Sequence, residues 1–224
     1  MNPTPLVLVH GAWFEASCWD AVIDELGRLG ATAVAVELPL TGFDADVAVT
    51  RQAIEAAGPN VIVAAHSYGG CIVSAAASGN PDIARLFYVA AFLTEPNEHP
   101  FTILADHRGE LLDGLVVTET GVGVDAAHAR HVFFGDQADE RAAELAASLR
   151  SMPLNGAEMD YSGEPGWKSS PSTYVLCTGD RAIPLGAQRW MAARAGEVVE
   201  FPTDHSPFFS RPRELAALLV SDRG

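Results

Sequence analysis

The sequence predicts an α/β protein with a doubly wound, mostly parallel six-stranded sheet and an inserted lid. The sheet is indicated by short, continuous apolar runs, such as residues 6–9 and 61–65, that alternate with segments of helical apolar spacing. Strands that are apolar on both sides are typical of a parallel sheet covered by helices on both faces. The alternation is lost between residues 94 and 166, and this loss predicts the lid.

Each predicted element has a local signal. The strands are the apolar or β-branched runs at residues 6–9, 32–36, 61–65, 83–90, 174–177 and 197–201. The helices are predicted at residues 18–29, 44–57, 68–78 and 212–221. Ser17 is the expected N-cap of the first helix and Gly30 its end. The turn formed by Gly58, Pro59 and Asn60 ends the second helix.

Residues 94–166 are the predicted lid, inserted into a core made of residues 1–93 and 167–224. The segment contains glycine-rich pieces, a hairpin pattern at residues 115–117 and 122–124, and a helical pattern that begins at Asp136. Because the insertion leaves the sheet between two strands, we expect it to lie above the carboxyl edge of the sheet, where ligands bind.

Composition and charge narrow the class of protein. A chain of 224 residues is long enough for one domain with a large core. Its 48% apolar and 19% charged residues are ordinary for a globular protein. The formal net charge of −15 argues against nucleic acid or an anionic membrane as a partner, since both would repel such a surface. A homodimer is left open.

The three cysteines predict neither a disulfide framework nor a metal site. Cys18, Cys71 and Cys177 are too few and too widely spaced for either, and we expect Cys71 and Cys177 to be buried thiols. The sequence does not open with a basic region followed by a long apolar stretch, and no window is long enough to span a membrane. These features predict a cytoplasmic protein.

The most informative motif surrounds Ser67. An apolar run ends at this serine, the small residues Ala65 and Gly69 stand two positions away on either side, and a helix of small and apolar residues follows. This is the layout of a nucleophile elbow, a sharp strand-to-helix turn that lifts a serine hydroxyl clear of the backbone. The strict pattern has glycine in place of Ala65, and a serine that only caps the helix is the alternative.

The loop after the first strand carries a second motif, His10-Gly-Ala-Trp-Phe. The first and third strands of a doubly wound sheet are neighbours, so this loop faces Ser67 across the ligand site. We expect the backbone N–H groups of Ala12 and Tyr68 to form an oxyanion hole. The alternative is a tight turn at His10 and Gly11 with no role in the chemistry.

A serine nucleophile needs a base, and His205 is the predicted base among seven histidines. It follows the last predicted strand and precedes the terminal helix, so its loop can bring the imidazole over the elbow. His10 and His66 are expected to be structural because local geometry holds them beside the elbow. His128 and His131 have a spacing compatible with a metal on a helix, but no carboxylate pattern accompanies them, and we predict no metal.

Asp180 is the predicted acid of a catalytic triad. It directly follows a predicted strand, in a loop that neighbours the loop of His205. A carboxylate at this place accepts the imidazole N–H and holds the ring in the required tautomer. The order Ser67, Asp180, His205 is the one expected for an elbow on this kind of sheet. Asp204 adjoins the histidine, but its side chain should diverge from the ring, and Glu95 is the fallback.

With these motifs in place, the chain resembles the α/β-hydrolase superfamily along essentially its whole length. Within it, the chain is similar to the group of plant methylesterases, hydroxynitrile lyases and short bacterial esterases. The matching pieces are Leu8-Val-His-Gly-Ala-Trp, Ala65-His-Ser-Tyr-Gly-Gly, Tyr88-Val-Ala-Ala-Phe, Pro171-Ser-Thr-Tyr-Val-Leu-Cys-Thr-Gly-Asp-Arg-Ala-Ile-Pro and His205-Ser-Pro-Phe-Phe-Ser-Arg-Pro. The resemblance implies the nucleophile, acid, base and oxyanion donors named above, and the lid matches least.

Two departures from the hydroxynitrile lyases of this group bear on the reaction. Gly11 stands where those lyases have threonine, and Ser206 stands where they have lysine. Both of the missing side chains handle cyanohydrin chemistry. The resemblance therefore implies ester hydrolysis rather than lyase activity.

Together these features predict a serine hydrolase that cleaves small to medium apolar or aromatic carboxylic esters through an acyl-enzyme, without a cofactor. A small-molecule ester is the expected partner. The predicted substrate-binding residues are aromatic side chains for which core packing is the alternative: Trp13, Phe14, Phe92, Phe133, Trp167 and Phe208. Phe101 is a further candidate to line the same apolar pocket. A carbon–carbon lyase, a cofactor-free oxygenase and a hydrolase-like ligand receptor stay open, because this fold supports many chemistries.

Overall fold

A six-stranded parallel sheet is the centre of the structure, a computed structural model that describes residues 5–119, 121–153, 161 and 163–221. The strands in chain order are β1 (Pro5–Val9), β2 (Thr32–Val36), β3 (Val61–His66), β4 (Ile83–Val89), the hairpin strands β5 (Leu115–Val117) and β6 (Val122–Val124), β7 (Ser172–Cys177) and β8 (Glu197–Phe201). The sheet order is β2-β1-β3-β4-β7-β8, and all neighbours in it run parallel. This order confirms the predicted doubly wound sheet.

Helices flank the sheet and continue into the long connection between β4 and β7. Those of the described residues are α1 (Asp20–Arg28), α2 (Phe43–Ala57), α3 (Gly69–Ala76), α4 (Pro100–Asp106), α5 (Ala126–Phe133), α6 (Asp139–Ala147), α7 (Leu185–Ala192), α8 (Pro207–Ser210) and α9 (Pro212–Val220). None of them is long and apolar enough to cross a bilayer. Helix α1 packs against α9, and α2 packs against α3.

Position in the sheet explains why the inner strands are more continuously buried than the edge strands. β3 is buried along its whole length, as is β1 after its first residue, because helices cover both faces of the inner strands. The edge strands β2 and β8 are more exposed, and about half of the surface of Val34 (51%) and Val198 (50%) remains accessible. The continuous apolar runs thus mark the inner strands of the sheet, among them β3, which precedes Ser67.

Several predicted boundaries differ from the structure. A 3-10 turn at Ala16–Trp19 precedes α1, so the predicted cap Ser17 lies inside this turn and makes no capping bond. Gly30 ends the helix as predicted, with a φ of 75° that favours glycine. The helix after Ser67 begins at Gly69 rather than at Tyr68, because the elbow itself occupies the two preceding residues.

The connection between β4 and β7 holds the predicted hairpin, since β5 and β6 pair antiparallel. The helix predicted from Asp136 begins at Asp139. Helices α4, α5, α7 and α8 were not predicted, because they have only four to eight residues and too few turns for a clear apolar period. Residues 120, 154–160 and 162 of the predicted lid lie outside the described residues, and the division into core and lid stays a prediction.

Candidate active site

Ser67 occupies a strained turn between β3 and α3. Its φ is 51°, a left-handed conformation that is uncommon for a residue with a side chain. Two backbone hydrogen bonds hold the turn: Ser67 N–H donates to the carbonyl of Val89 (3.4 Å), and its carbonyl accepts from the N–H of Phe92 (3.0 Å). Strain that is held in place in this way is typical of functional sites. The turn has the geometry of a nucleophile elbow.

The small residues around Ser67 are required by close packing. A Cβ on Gly69 would lie 2.6 Å from the carbonyl oxygen of His10, and a Cβ on Gly70 would lie 2.4 Å from that of Phe92. Neither position has room for a side chain. Ala65 is fully buried in β3 and pairs with Val9 and Tyr88 across the sheet, so an alanine fits where the strict motif has glycine.

His205 and Asp180 form a buried pair at the carboxyl ends of β8 and β7. The Nδ1–H of His205 donates to Oδ2 of Asp180 over 2.7 Å, and both side chains are inaccessible to solvent. The other carboxylate oxygen accepts from the backbone N–H groups of Ala182 (2.8 Å) and Ile183 (2.9 Å), while Gln188 donates its amide to Oδ2 (3.0 Å). These bonds fix the carboxylate, and the carboxylate in turn fixes the ring.

The opposite nitrogen of the His205 ring is poised to accept a proton. Its Nε2 atom is buried and has no hydrogen-bond partner among the described residues. Because Nδ1 carries the hydrogen shared with Asp180, Nε2 of the neutral ring presents a lone pair. This is the arrangement that a general base needs.

His66 connects the elbow to the loop of His205. Its Nε2–H donates to the backbone carbonyl of His205 over 2.9 Å, and the two rings are 4.5 Å apart. Burial lowers the pKa of His66 well below its usual value, so the ring is neutral. Since His66 precedes Ser67 directly, this bond brings the loop of His205 to the turn of Ser67.

The two alternative acids have other partners. The oxygens of Asp204 accept the backbone N–H groups of Asp136 and Ser206, each over 2.9 Å, and its burial raises its pKa to about 6. Glu95 forms an ion pair with Lys168 over 2.7 Å. Among the described residues, Asp180 is therefore the carboxylate bonded to the imidazole of His205.

The loop of residues 10–15 lies directly against Ser67. A Cβ on Gly11 would be 2.8 Å from the Cβ of Ser67 and 2.9 Å from Nδ1 of His66. His10 shapes the start of the loop: its Nε2 accepts from the N–H of Leu38 (3.0 Å), and its Nδ1–H donates to the carbonyl of Gly11 (2.8 Å). Burial lowers the pKa of His10 to about 4, so it stays neutral and structural.

Tyr68, the residue after the nucleophile, is fixed through its side chain. Its hydroxyl donates to Asp46 over 3.1 Å, and the other oxygen of Asp46 accepts from the N–H of Leu40 over 2.8 Å. Burial raises the pKa of Asp46 above its usual value. The tyrosine ring is thereby anchored, and its backbone stands at the start of α3, where a helix favours negative charge.

A cavity of about 70 Å³ opens at the elbow. The predicted nucleophile Ser67 and the predicted oxyanion residues Ala12 and Tyr68 all line it, as do the predicted substrate-binding residues Trp13 and Phe92. The remaining lining residues come from the connection between β4 and β7 and are mostly apolar: His99, Pro100, Phe101, Leu104, Leu111, Val122, Met152 and Pro153. Apart from Phe101, sequence reasoning did not single these out, because nothing in the insertion's local pattern indicates which side chains face the elbow.

Three predicted substrate-binding residues lie elsewhere, in an aromatic cluster behind the imidazoles. The ring of Phe14 is 5.6 Å from that of Phe133 and 5.8 Å from that of Phe208. Phe133 lies 5.4 Å from the ring of His205, and Phe208 lies 4.8 Å from that of His66. These three side chains are not in the lining of the cavity at the elbow. Phe208 packs edge to face against His66, and Phe133 lies tilted against His205. Their role in substrate binding stays a prediction.

Trp167 was also predicted to bind substrate, but the structure places it outside the cavity lining. Its indole N–H donates to the carbonyl of Thr94 over 3.1 Å. This bond joins Thr94, the first residue of the predicted lid, to the residue that directly follows the lid, and it explains the position of the ring.

The described residues offer no site for a metal, since no group of three or more His, Cys, Asp or Glu side chains comes together in them. His131, a histidine with metal-like spacing, bonds instead to Glu110 over 2.7 Å. All three cysteines are free and buried, which was expected for Cys71 and Cys177.

Comparison with known proteins agrees with this geometry. The chain is 30% identical to a pyrethroid hydrolase of Sphingobium wenxiniae, over 98% of this chain and 88% of that protein. It is 29% identical to methylesterase 2 of Arabidopsis thaliana, over 96% and 94% of the two chains. The crystal structure of polyneuridine aldehyde esterase has the same fold, with a TM-score of 0.84, 22% identity and 98% of each chain covered. The model of the alpha/beta hydrolase family matches residues 6–218, and this chain belongs to that family.

Proposed function

We propose that this chain is a carboxylic ester hydrolase with Ser67 as nucleophile, His205 as general base and Asp180 as the acid that orients the base. The observation that carries the proposal is the buried 2.7 Å bond between His205 and Asp180, which leaves Nε2 of the ring free to accept a proton. The ring lies 4.5 Å from that of His66, the residue that precedes Ser67. The esterases and hydrolases among its relatives support the same class of reaction.

The reaction follows from these groups. Ser67 Oγ attacks the ester carbonyl carbon while Nε2 of His205 takes its proton, and the carbonyl electrons move to oxygen. The backbone N–H groups of Ala12 and Tyr68 stabilise this oxyanion. The imidazolium then gives its proton to the leaving alcohol. Water, activated by the same nitrogen, repeats the attack on the acyl-enzyme and releases the acid and free Ser67.

The cavity supports apolar or aromatic esters of small to medium size. Its volume of about 70 Å³ and its walls of leucine, valine, methionine, proline and aromatic side chains leave few polar partners for a charged substrate. Most of these walls belong to residues 94–166, which we propose act as a lid that selects the substrate.

Gly11 supports hydrolysis over the lyase alternative. The space beside it is filled by the Cβ of Ser67 and the ring of His66, so the position holds no hydroxyl for cyanohydrin chemistry. The remaining side chains at the elbow are those that acyl transfer uses.

The test is turnover of a p-nitrophenyl ester series from acetate to octanoate by the wild type and by Ser67→Ala. We expect the wild type to hydrolyse the shorter esters and the variant to lose at least 10³-fold in kcat. A fluorophosphonate should label the wild type at Ser67 and leave the variant unlabelled. A folded wild type without turnover, or a Ser67→Ala variant that retains it, would contradict the proposal.

A further inference from the structure

We propose that Arg150 is a positioning residue that holds the loop of residues 10–15, and with it the N–H of Ala12, in the geometry of an oxyanion hole. The inference rests on the proposed function. Arg150 follows α6 in the insertion, far in sequence from the loop that it contacts. No local pattern in the sequence indicates this contact.

Arg150 binds two consecutive carbonyl groups of the loop. Its backbone N–H donates to the carbonyl of Trp13 over 2.7 Å. Its guanidinium donates to the carbonyl of Phe14 twice, from one terminal nitrogen over 3.0 Å and from Nε over 3.3 Å. A guanidinium suits this role because its donors point in fixed directions from a planar group.

The guanidinium is itself anchored to the end of β2. The same terminal nitrogen donates to the carbonyl of Leu38 over 3.1 Å and pairs with Glu37 over 2.8 Å. The other oxygen of Glu37 accepts the backbone N–H of Ala16, also over 2.8 Å. Arg150 and Glu37 therefore tie both the middle and the end of the loop to the sheet.

The loop needs such an anchor because its backbone is strained. Trp13 has a φ of 66°, a conformation that a bulky side chain adopts only when its surroundings hold it there. The indole N–H of Trp13 donates to the carbonyl of Val122 over 2.9 Å, and Val122 pairs in turn with Met152. The insertion thus holds Trp13 from both its backbone and its side chain.

Ala12 lies between two anchored stretches of the loop. On one side, the carbonyl of Gly11, which shares a peptide plane with the N–H of Ala12, accepts from His10. On the other side, the carbonyls of Trp13 and Phe14 accept from Arg150. An oxyanion hole works only if its donors are already oriented before charge develops. Arg150→Ala removes the guanidinium bonds to the carbonyl of Phe14 and keeps only the backbone bond to that of Trp13. With the second anchor weakened in this way, the strained turn relaxes and the N–H of Ala12 is displaced.

The test compares Arg150→Ala with Arg141→Ala. Arg141 is a matched control in the same insertion, with an exposed ion pair to Glu144 over 3.0 Å. The concentration of active sites is first measured by titration with a fluorophosphonate. Per titrated site, we expect Arg150→Ala to lower kcat about 10- to 100-fold while KM changes less than threefold. The expected size follows because misplacement of a group by 1 Å costs up to about 10²-fold in rate. Arg141→Ala should keep wild-type kcat.

Two further measurements separate positioning from general stability. Added guanidinium at millimolar concentration should restore part of the kcat of Arg150→Ala. Arg150→Lys should restore little, because an ammonium has neither the second donor, Nε–H, that binds the carbonyl of Phe14 nor the fixed planar directions of a guanidinium. Thermal unfolding verifies that the titrated variant is folded. An unchanged kcat in Arg150→Ala, or a loss confined to KM, would overturn the inference.

A crystal structure of Arg150→Ala gives a readout that does not depend on turnover. We expect the backbone of residues 12–15 to move while the elbow at Ser67 stays in place, and an unmoved loop would overturn the inference. A wild type that binds the esters without hydrolysing them would instead contradict the proposed function, so the two failures are distinguishable.

Discussion

Replacement of Asp180 by asparagine exchanges one carboxylate oxygen of the proposed triad's acid for an NH₂ group, and it should abolish most catalysis while the fold survives. The oxygen of the new side chain can keep the bonds to the N–H groups of Ala182 and Ile183, at 2.8 and 2.9 Å in the wild type. The NH₂ group then faces His205. It donates to Nδ1, so the ring's hydrogen moves to Nε2, where it blocks acceptance of the proton from Ser67.

The size of the effect follows from these bonds. The wrong tautomer costs about 10⁴-fold in kcat in a serine protease triad, and a loss of 10³- to 10⁴-fold here corresponds to about 4–5.5 kcal/mol of barrier. The stability cost is smaller. Gln188 loses its 3.0 Å bond to Oδ2 but keeps bonds to the carbonyls of Cys177 and Ile183. We expect the free energy of unfolding to fall by about 1–3 kcal/mol.

The assay is p-nitrophenyl acetate hydrolysis, with urea unfolding measured in parallel. Glu95→Gln is the matched control, since Glu95 was the fallback acid and its contact is the ion pair with Lys168. It should keep wild-type kcat. The reasoning would be refuted if Asp180→Asn retained more than a tenth of the wild-type kcat, or if Glu95→Gln lost as much activity as Asp180→Asn.

Two other variants test packing and buried charge. Gly11→Ala places a Cβ 2.8 Å from that of Ser67, and it should lower kcat at least tenfold and the free energy of unfolding by about 1–3 kcal/mol. Gly27→Ala has open space around its Cβ and should be neutral or stabilising in thermal unfolding. Equal stability of the two variants would contradict this reasoning. Burial raises the pKa of Asp204 from the usual 3.8 to about 6, so the folded state holds a proton that the unfolded chain releases. The stability of the wild type relative to Asp204→Asn should therefore fall by about 2 kcal/mol as the pH rises from 4 to 7. Parallel stability curves for these two proteins in urea would exclude the buried-carboxylate explanation.

The sheet and the elbow could be predicted because their signals are local. A strand covered on both faces must be apolar at every position, and this is visible in residues 61–65 without any knowledge of their neighbours. Gly69 and Gly70 stand where the backbone of another loop comes too close for a side chain. The contact between His205 and Asp180 also follows from local facts, because adjacent parallel strands bring the loops at their carboxyl ends together.

The cavity could not be predicted in the same way. Trp13 and Phe14 are adjacent aromatic residues in one loop, yet Trp13 lines the cavity and Phe14 packs against Phe133 and Phe208. Composition and spacing do not distinguish them. The φ of 66° at Trp13 turns the chain so that the two rings go to different places, and that angle depends on contacts with distant segments.

The sequence by itself therefore determined the fold class, the order of the candidate triad and the residues that must stay small, because each depends on backbone geometry near one strand end. Only the tertiary structure decided which side chains line the cavity and that Arg150 reaches the loop of Ala12. The contact of Arg150 with Phe14 joins residues 136 positions apart. Such contacts depend on how the insertion folds over the sheet, and no local period of the chain encodes that arrangement.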